Sequence, residues 1–452
     1  MTDTSVETVV ERIHDRVTPT DEERERLHAV ADRLRERARD AIADLGVDAD
    51  VRLVGSTARG TWLAGDRDID LFVRFPPDLP RADLERYGLQ VGHAVVPDGH
   101  EEFAEHPYVK GEVEGFAVDC VPCFAVESAG DIQSAVDRTP FHTEYLEARL
   151  DDDLRGDARV TKAFLKGIGA YGSDLRTRGF AGYLAELLVL EHGGFVPLVH
   201  AAADWNPPVG FDPESHATSD FEDGLVVIDP TDPDRNVAAS LSAENLARLI
   251  HYSRDLLGEP RESLFEPRSV DPMSADAVGA AVEERGTHPV AVRFDAPDIV
   301  DDQLYPQLEK SLSGLESELG RRGFDPLRST CVADETAALL VECQIARLPA
   351  IERHEGPPVG VRDHAEGFYD AYADGPETGP YLDGDRYVVE RERDYRTPEA
   401  FAEDALFSVA LGPAIERSLD DGYTVLAGEE IATLAAEFGP ELRAYFYPSV
   451  WG

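Results

Sequence analysis

Residues 54–75 read VGSTARGTWLAGDRDIDLFVRF. A Gly-Ser turn follows one apolar run, and two aspartates stand at the start of the next. The runs VRLVG and IDLFVRF are typical of buried strands, and the pattern predicts a helix at STARGT with Ser56 as its N-cap. Backbone N–H groups at such a helix start attract phosphate, Gly55 allows close approach, and Arg59 adds a charged fork. An ordinary strand-to-helix turn is the simpler interpretation of this segment taken alone.

Two aspartates at the start of the second strand strengthen the phosphate-site interpretation. Residues two apart in a strand point to the same face, so Asp68 and Asp70 stand side by side and repel unless a cation lies between them. Asp119, the one charged residue in the apolar run FAVDCVPCF, is the candidate third acid. Hard oxygen ligands beside a triphosphate suit Mg²⁺ and predict a two-metal nucleotidyl transfer. The alternative is a set of exposed acidic strand faces in a chain rich in aspartate.

The charge of the chain indicates its habitat more than its partners. Ninety acidic residues oppose 43 basic ones, a net charge of −47, yet the apolar content of 42% is that of a folded protein. Lysine occurs only at positions 110, 162, 166 and 310. Such a surface is typical of a halophile, because molar salt screens the repulsion between carboxylates. The acidity therefore does not exclude a nucleic-acid partner.

The chain carries no pattern of a signal peptide or of a membrane span, so we expect a soluble, cytoplasmic protein without a membrane partner. Its cysteines are too few for a disulfide framework. Cys120 and Cys123 form a CVPC pair, but no second pair lies at metal-ligand spacing, which argues against zinc.

The order of patterns predicts an α/β (α+β) multidomain protein with boundaries at 1–140, 141–265 and 266–452. The first part combines an amphipathic helix over 21–45 with strand-like runs. The second is helical and is interrupted by a loop at VIDPTDPDRNVAAS. The third begins as strand, helix and strand, which is typical of a small α+β unit, and closes with a mixed region.

Several motifs together resemble a known family. The Gly-Ser turn, Asp68-x-Asp70 and Asp119 on successive strands resemble the signature of the DNA polymerase β-type nucleotidyltransferase superfamily. The longer segments GSTARGTWLAGDRDIDLFV, HPYVKGEVEGFAVDCVPCF, YGSDLRTRGFAGYLAELL and DPTDPDRNVAAS are similar to the archaeal, class I CCA-adding enzymes. The resemblance implies a nucleotidyltransferase sheet, a helical central domain and a C-terminal region that includes a ferredoxin-like α+β unit.

The resemblance also implies an activity and a set of residues. That family builds or repairs the terminal CCA of tRNA from CTP and ATP without a nucleic-acid template. Asp68, Asp70 and Asp119 would hold Mg²⁺, with Asp119 nearest the attacking tRNA hydroxyl. The implied nucleotide-binding residues, including an arginine that selects the base, are Gly55, Ser56, Arg59, His142, Lys162, Tyr171 and Arg235.

The residues themselves support these roles unevenly. Lys162 forms a basic stripe with Arg159 and Lys166 on one helix face, for which a solvated face is the alternative. Tyr171 could stack on a base or pack on the core. Arg235 lies in the predicted loop, where it could bind a ligand or pair with nearby aspartates. His142 is assigned by the family motif alone.

The partners follow from the same resemblance. We expect the acceptor end of tRNA to be held by shape, stacking and local arginines in residues 293–328 and 386–396. A homodimer is possible by analogy with relatives. The alternatives are a poly(A) polymerase or oligoadenylate synthetase, an inactive RNA-binding scaffold, and, more remotely, an acidic cation-binding protein.

Overall fold

A computed structural model describes residues 5–103 and 105–449 of the chain. The chain divides into two compact units, Met1–Arg268 and Ser269–Gly452. The architecture is mixed α/β, with a five-stranded mixed sheet in the first unit. The division into three domains stays a prediction.

The N-terminal part of the first unit is a twisted sheet covered by two long helices. Its strands run in the order β1-β2-β5-β4-β3, with β2 and β5 parallel and their neighbours antiparallel. Helices α2 and α4 pack on one face, where Leu27, Leu34, Ile69, Leu71 and Val91 are buried. The elements are α1 Val6–Val17, α2 Asp21–Leu45, β1 Asp50–Val54, α3 Gly55–Arg59, β2 Asp68–Phe75, α4 Arg81–Val95, β3 His100–Phe103, β4 Pro107–Val113 and β5 Phe116–Phe124.

Local chemistry explains the boundaries of the long helix α2. Thr20 and Glu23 form a capping box at its start, which satisfies free backbone donors. Its apolar residues recur at spacings of three and four and face the sheet. Gly46 ends it in the left-handed conformation, with φ +64°.

The rest of the first unit is mainly helical. It shares one apolar core, to which Phe164, Phe180, Leu187 and Phe195 contribute. The elements are α5 Thr139–Glu147, α6 Asp152–Gly167, α7 Gly182–His192, α8 Phe195–Ala203, β6 Val209–Phe211, β7 Leu225–Asp229, β8 Asp232–Asn236 and α9 Ala243–Gly258.

In the described chain, no single helix is long and apolar enough to cross a membrane. Helices α7 and α8 pass that test only as a pair, by length and composition, and they are bent by 91° where they meet.

The second unit contains an antiparallel sheet with an inserted smaller sheet. The main sheet has the strand order β10-β11-β9-β15. Helix α11 follows β9, and α13 and α14 precede β15, which together give the ferredoxin-like arrangement. The inserted sheet has the order β12-β14-β13 and packs against α12. The elements are α10 Ala275–Arg285, β9 His288–Asp295, α11 Asp301–Arg322, β10 Pro326–Ala333, β11 Thr336–Cys343, β12 Ile351–Pro358, α12 Arg362–Tyr372, β13 Thr378–Asp383, β14 Arg386–Glu392, α13 Pro398–Ala405, α14 Pro413–Asp421, β15 Tyr423–Ala427 and α15 Ala435–Phe446.

Two local predictions were wrong. The segment VIDPTDPDRNVAAS is no loop: it contains the end of β7 and all of β8, so Arg235 lies on a strand. Ser56 is not an N-cap, because helix α3 already begins at Gly55 after the extended residue Val54. The first error arises because tightly turned polar segments resemble loops when only composition is considered. The second arises because the helix begins earlier than predicted, at Gly55.

Candidate active site

The three predicted acids lie on two adjacent strands. Strand β2 begins at Asp68, so Asp68 and Asp70 share a face of the sheet. Asp119 of β5 stands directly opposite Asp70 in the parallel ladder. These strands are neighbours in space but not in sequence, because β3 and β4 intervene along the chain.

The environment of the acids favours a cation. Burial raises the pKa of Asp70 to about 6, and the nearby charges of Asp119 and Asp68 add to the effect. Burial also raises the pKa of Asp119, although Lys110 opposes this shift. The Lys110 Nζ lies 3.9 Å from the Asp119 Oδ2. A positive charge placed between these carboxylates would relieve their repulsion.

The backbone of Gly55 packs closely against the carboxylate of Asp70. Its φ is +73°, and a Cβ built on it would lie 2.1 Å from the Asp70 Oδ2. Real side chains never come so close, so only glycine brings the turn against this carboxylate. Ser56 follows inside the first turn of α3, and the Thr57 hydroxyl donates to the carbonyl oxygen of Asp68 at 2.6 Å.

Arg59 and Lys162 converge on one buried carboxylate, Glu186 of α7. The Arg59 Nε donates to Glu186 at 2.5 Å and the Lys162 Nζ at 2.6 Å. Thr61 donates its hydroxyl to the same carboxylate and accepts from the Lys162 Nζ through its carbonyl oxygen at 3.0 Å. The cluster joins the turn at α3 to helices α6 and α7 and keeps a net positive charge of one.

The basic residues predicted on one face of α6 are largely buried, which excludes the alternative of a solvated face. Arg159 and Lys162 are 7% and 2% exposed, so neither lies on a solvated helix face. Lys166 is half-buried, with its Nζ 3.4 Å from Asp66. The spacing placed them on one face correctly, but that face is turned toward the α3 turn and not toward water.

The charge state of Glu186 follows from its partners. Burial alone would raise the pKa of Glu186, but Lys162 and Arg59 outweigh that effect and hold the pKa below its ordinary value. Burial lowers the pKa of Lys162, and Glu186 opposes that shift. The physical state that fits both directions is an ion pair of a charged carboxylate with charged Lys162 and Arg59.

Replacing Glu186 with glutamine is expected to lower the free energy of unfolding by about 3–5 kcal/mol, because two buried cations lose their counter-charge. The pKa of Glu186 is depressed in the folded protein, so this stabilisation is present above pH about 4.5 and disappears as the pH falls through the folded value. Urea unfolding in molar KCl, followed by the fluorescence of Trp62 and Trp205, measures the difference.

A matched control for that variant is Glu114→Gln. Glu114 receives two hydrogen bonds from Arg33, at 3.2 and 2.6 Å, but both side chains are about half exposed. An exposed pair contributes less than about 1 kcal/mol. Equal losses in the two variants at pH 7 would show that burial does not strengthen the Glu186 cluster.

His142 and Arg235 also meet at one buried carboxylate, Asp229 at the end of β7. The His142 Nε2 and the Arg235 guanidinium each lie 2.7 Å from the Asp229 Oδ2. Thr231 donates its N–H and hydroxyl to the Oδ1. Burial would raise the pKa of Asp229, but these partners, His142 first, lower it. Burial lowers the pKa of His142, although the hydrogen bond and the charge of Asp229 oppose that shift.

Two tyrosines complete this part of the unit. The His142 ring stacks on Tyr183, with centroids 4.0 Å apart and planes 14° from parallel. Tyr171 is half-buried beyond the end of α6, in a bridge with Phe180, and the Lys166 Nζ lies 5.4 Å from its ring centroid. Tyr171 therefore stands beside the Lys162–Glu186 cluster, and Glu186 contributes, after burial, to a raised pKa of Tyr171.

A cavity of about 310 Å³ opens beside Asp70 and Asp119. Apolar side chains form part of its wall, among them Val54, Phe72 and Val121. The Tyr108 hydroxyl, which donates to Glu102 at 2.5 Å, completes the polar side. The cavity thus pairs carboxylates with an apolar surface, as a site for part of a nucleotide requires.

The donor set fits a hard divalent cation held partly by its substrate. Across residues 5–103 and 105–449, no group of three or more His, Cys, Asp and Glu side chains is arranged to hold a metal ion by itself. Mg²⁺ normally takes one or two carboxylates and completes its shell with phosphates and water. Asp70 and Asp119, adjacent and half-buried, offer that incomplete set. The nearby thiols of Cys120 and Cys123 are buried and free.

Sequence reasoning missed the groups that organise the predicted cations. Glu186 lies inside the apolar run LAELLVL and Asp229 at the end of VVID. A carboxylate in an apolar run is costly unless it is paired, so each carried a signal of the kind that identified Asp119. Lys110 was also missed, although lysine is rare in this chain.

Comparison with known proteins decides the family. A model described as "Nucleotidyltransferase domain" matches residues 35–142, one described as "tRNA nucleotidyltransferase, second domain" matches 156–266, and one described as "CCA-adding enzyme, C-terminal domain" matches 285–428. The CCA-adding enzyme of Haloarcula marismortui is 58% identical, over 97% of this chain and 98% of its own. The chain belongs to the CCA-adding enzyme family. The corresponding enzyme of Halorubrum lacusprofundi is 59% identical, over 98% and 99% of the two chains.

Membership in the CCA-adding enzyme family confirms the predicted activity class. The protein is an enzyme, a nucleotidyltransferase, with tRNA and nucleoside triphosphates as its substrates. The nucleotidyltransferase domain implies that its reaction depends on a divalent metal ion. The haloarchaeal relatives agree with the halophilic interpretation of its charge.

Proposed function

We propose that this CCA-adding enzyme transfers CMP and AMP to the tRNA 3′-hydroxyl at the cavity beside Asp70 and Asp119, with Mg²⁺ as the metal. The single observation that carries the proposal is the register of Asp70 against Asp119 on parallel strands, with Gly55 packed against the same carboxylate. When bound, Mg²⁺ would lower the pKa of the attacking hydroxyl and neutralise the departing pyrophosphate. Asp68, Asp70 and Asp119 would hold it.

The protein's own groups then divide the remaining work. Asp119 would lie nearest the tRNA 3′-hydroxyl, while the backbone at Gly55 and Ser56 would face the phosphates. The cluster of Arg59, Lys162 and Glu186 keeps one net positive charge, which would attract the triphosphate. The three donors of Lys162 are directed to Thr61 and Glu186, so the ammonium would bind a phosphate by exchanging a hydrogen bond with Thr61.

The second cluster offers a base-reading surface. Asp229 fixes the Arg235 guanidinium through one nitrogen, which leaves other donors for acceptors on cytosine or adenine. His142, stacked on Tyr183 and bonded to Asp229, would position the same ligand, and Tyr171 would contact the sugar or base from the side of Lys166. The edge of the base, rather than a nucleic-acid template, would then be recognised by the protein.

The remaining predictions concern the assembly. We propose that the nucleotidyltransferase part covers residues 1–140, the helical part 141–265 and the tRNA-holding part 266–452. Arginines in 293–328 and 386–396 would contact the acceptor end, and the enzyme would work in the cytoplasm, where its tRNA substrate is. A homodimer is the expected form by analogy with relatives.

An incorporation assay tests the proposal. The enzyme receives labelled CTP and ATP and a tRNA that lacks its terminal CCA, in molar KCl with Mg²⁺. We expect two C and one A per tRNA, and no incorporation when EDTA removes the metal. A long homopolymer would instead identify a poly(A) polymerase, and tRNA binding without incorporation would identify a scaffold. Activity unaffected by EDTA would contradict the role of the acids.

A further inference from the structure

A second cavity, of about 620 Å³, lies in the first unit among α1, α2, α3 and α6. The acids Asp70 and Asp119 do not line it. Its lining includes the basic side chains Arg24, Arg155 and Arg159, with His14 and His28, and also Trp62. In a chain of net charge −47, this concentration of cations around one space is unusual. Arg59, which belongs to the proposed triphosphate cluster, also lines the cavity, but Arg24, Arg155 and Arg159 have no part in the proposed transfer of nucleotides.

Arg159 is the central group of this cavity. Arg159 is only 7% exposed, and its guanidinium donates to the carbonyl oxygen of Gly60 at 2.6 Å. Within residues 5–103 and 105–449, its Nε has no hydrogen-bond partner and no carboxylate lies within 4.0 Å. Burial lowers the pKa of Arg159, and the nearby charges of Arg24 and Arg155 lower it further. A buried guanidinium in this state lacks an anion.

The neighbouring cations have weak partners. Arg155 pairs with Asp152 at 2.9 Å, but the Asp152 side chain is 99% exposed. Arg24 lies 3.6 Å from Asp21, whose side chain is 96% exposed. Exposed pairs of this kind contribute little, and less in high salt. Asp153 and Glu147 also line the cavity, both with exposed side chains, and therefore neutralise its buried end poorly.

A purely structural role accounts for only part of this arrangement. Arg155 and Arg159 donate to the carbonyl oxygens of Arg59 and Gly60, and they thereby hold the end of α3. A carbonyl oxygen satisfies a donor but brings no net negative charge. Carbonyl binding thus explains why the side chains are ordered, and the converging positive charge still needs an anion.

We propose that this cavity binds a phosphate group through Arg159, Arg155 and Arg24. A guanidinium presents paired donors that match phosphate oxygens, and a phosphate in the cavity would supply the negative charge that Arg159 lacks. Two sources share this chemistry: a free inorganic phosphate species and a backbone phosphate of tRNA. Because Arg155 and Arg159 also hold α3, the occupant would act on the element that carries Ser56 and Arg59.

Trp62, which is 5% exposed and lines the cavity, reports on binding. The full chain is titrated with inorganic phosphate in EDTA, at constant ionic strength in molar KCl, while tryptophan fluorescence is recorded. We expect a saturable change that is lost in Trp62→Phe, and a dissociation constant at least about tenfold weaker in Arg159→Met, since hydrogen bonds to charged groups are lost. EDTA keeps this result independent of metal-bound nucleotide.

Two further variants keep the test decisive. Arg254→Met also removes a guanidinium that donates to a helix-end carbonyl oxygen, that of Ala203 at 2.7 Å, but it lies away from the cavity and should bind phosphate as wild type does. Arg24→Gln alters an exposed position with little risk to folding and should weaken binding several-fold. An unsaturable titration, or equal affinity in wild type and Arg159→Met, would overturn the proposal.

The same variants distinguish the two sources. Binding of a tRNA lacking CCA is measured in EDTA by fluorescence anisotropy, with and without phosphate. If Arg159→Met weakens tRNA binding and phosphate competes with tRNA in wild type only, the site receives a tRNA phosphate. If tRNA affinity is unchanged while phosphate binding is lost, it receives a free phosphate species. Both outcomes support the phosphate site.

Discussion

Replacing Asp70 with asparagine is expected to reduce incorporation of CTP and ATP by at least about a thousandfold. The variant loses a proposed ligand of the metal ion, and stabilisation of the transition state by the metal contributes several kcal/mol. The same change should not destabilise the metal-free protein. Burial and the charges of Asp119 and Asp68 raise the pKa of Asp70 to about 6, so its ionised form is unfavourable in the folded state. Above pH 6 the neutral amide should unfold at the same or a higher urea concentration.

The sign of that stability change follows from linkage. A carboxyl whose folded pKa exceeds its unfolded value of 3.8 destabilises the folded protein above that folded pKa, and the penalty disappears as the pH falls toward 3.8. The asparagine variant should therefore resemble wild type at low pH and match or exceed it at pH 7. Single-turnover incorporation with Mg²⁺ and urea unfolding in EDTA give the two readings.

Asp50→Asn is the matched control for Asp70→Asn. Asp50 lies on β1, in the same sheet, and receives two hydrogen bonds from Arg74 at 2.7 and 2.6 Å. Its side chain is 52% exposed and away from the other acids, so this variant should keep its activity and lose about 1 kcal/mol or less of stability. Loss of activity in both variants would point to a general effect of charge.

The sequence predicted the sheet and the acids better than the groups that surround them. Strand periodicity and apolar flanks were sufficient to place Asp68 and Asp70 on one face, because side-chain direction in a strand is local. The pairing of Asp70 with Asp119 depends on the strand order β2-β5, which spacing does not determine. The sequence did indicate Asp119 as the candidate third acid, because it is the one charged residue in an apolar run, but not that it stands opposite Asp70.

The clusters around Glu186 and Asp229 show a different limit. A carboxylate in an apolar run indicates that a partner exists, but it does not indicate which one. Arg59 lies 127 positions from Glu186, and His142 lies 87 positions from Asp229. Such contacts depend on how the helical part folds onto the sheet. For the same reason the spacing of Arg159, Lys162 and Lys166 does not determine whether their face of α6 is solvated or buried.

Replacing Gly55 with alanine is expected to slow incorporation at least about a hundredfold, since displacing a catalytic group by about 1 Å has an effect of this size. An alanine Cβ would lie 2.1 Å from the Asp70 Oδ2 and 3.1 Å from its Cγ. The carboxylate or the turn must move apart, and Asp70 would leave its position opposite Asp119. The positive φ of +73° adds a conformational cost of about 1–2 kcal/mol.

Gly46→Ala separates these two effects. Gly46 ends α2 with a similar φ of +64°, but a Cβ there would meet no atom within 4 Å. Both variants should therefore lose about 1–2 kcal/mol of stability in urea through backbone strain, and Gly55→Ala more because of its contact with Asp70, while only Gly55→Ala loses activity. If single-turnover rates fall equally in both, backbone strain explains the loss. If neither falls, the contact between Gly55 and Asp70 does not position the carboxylate for transfer.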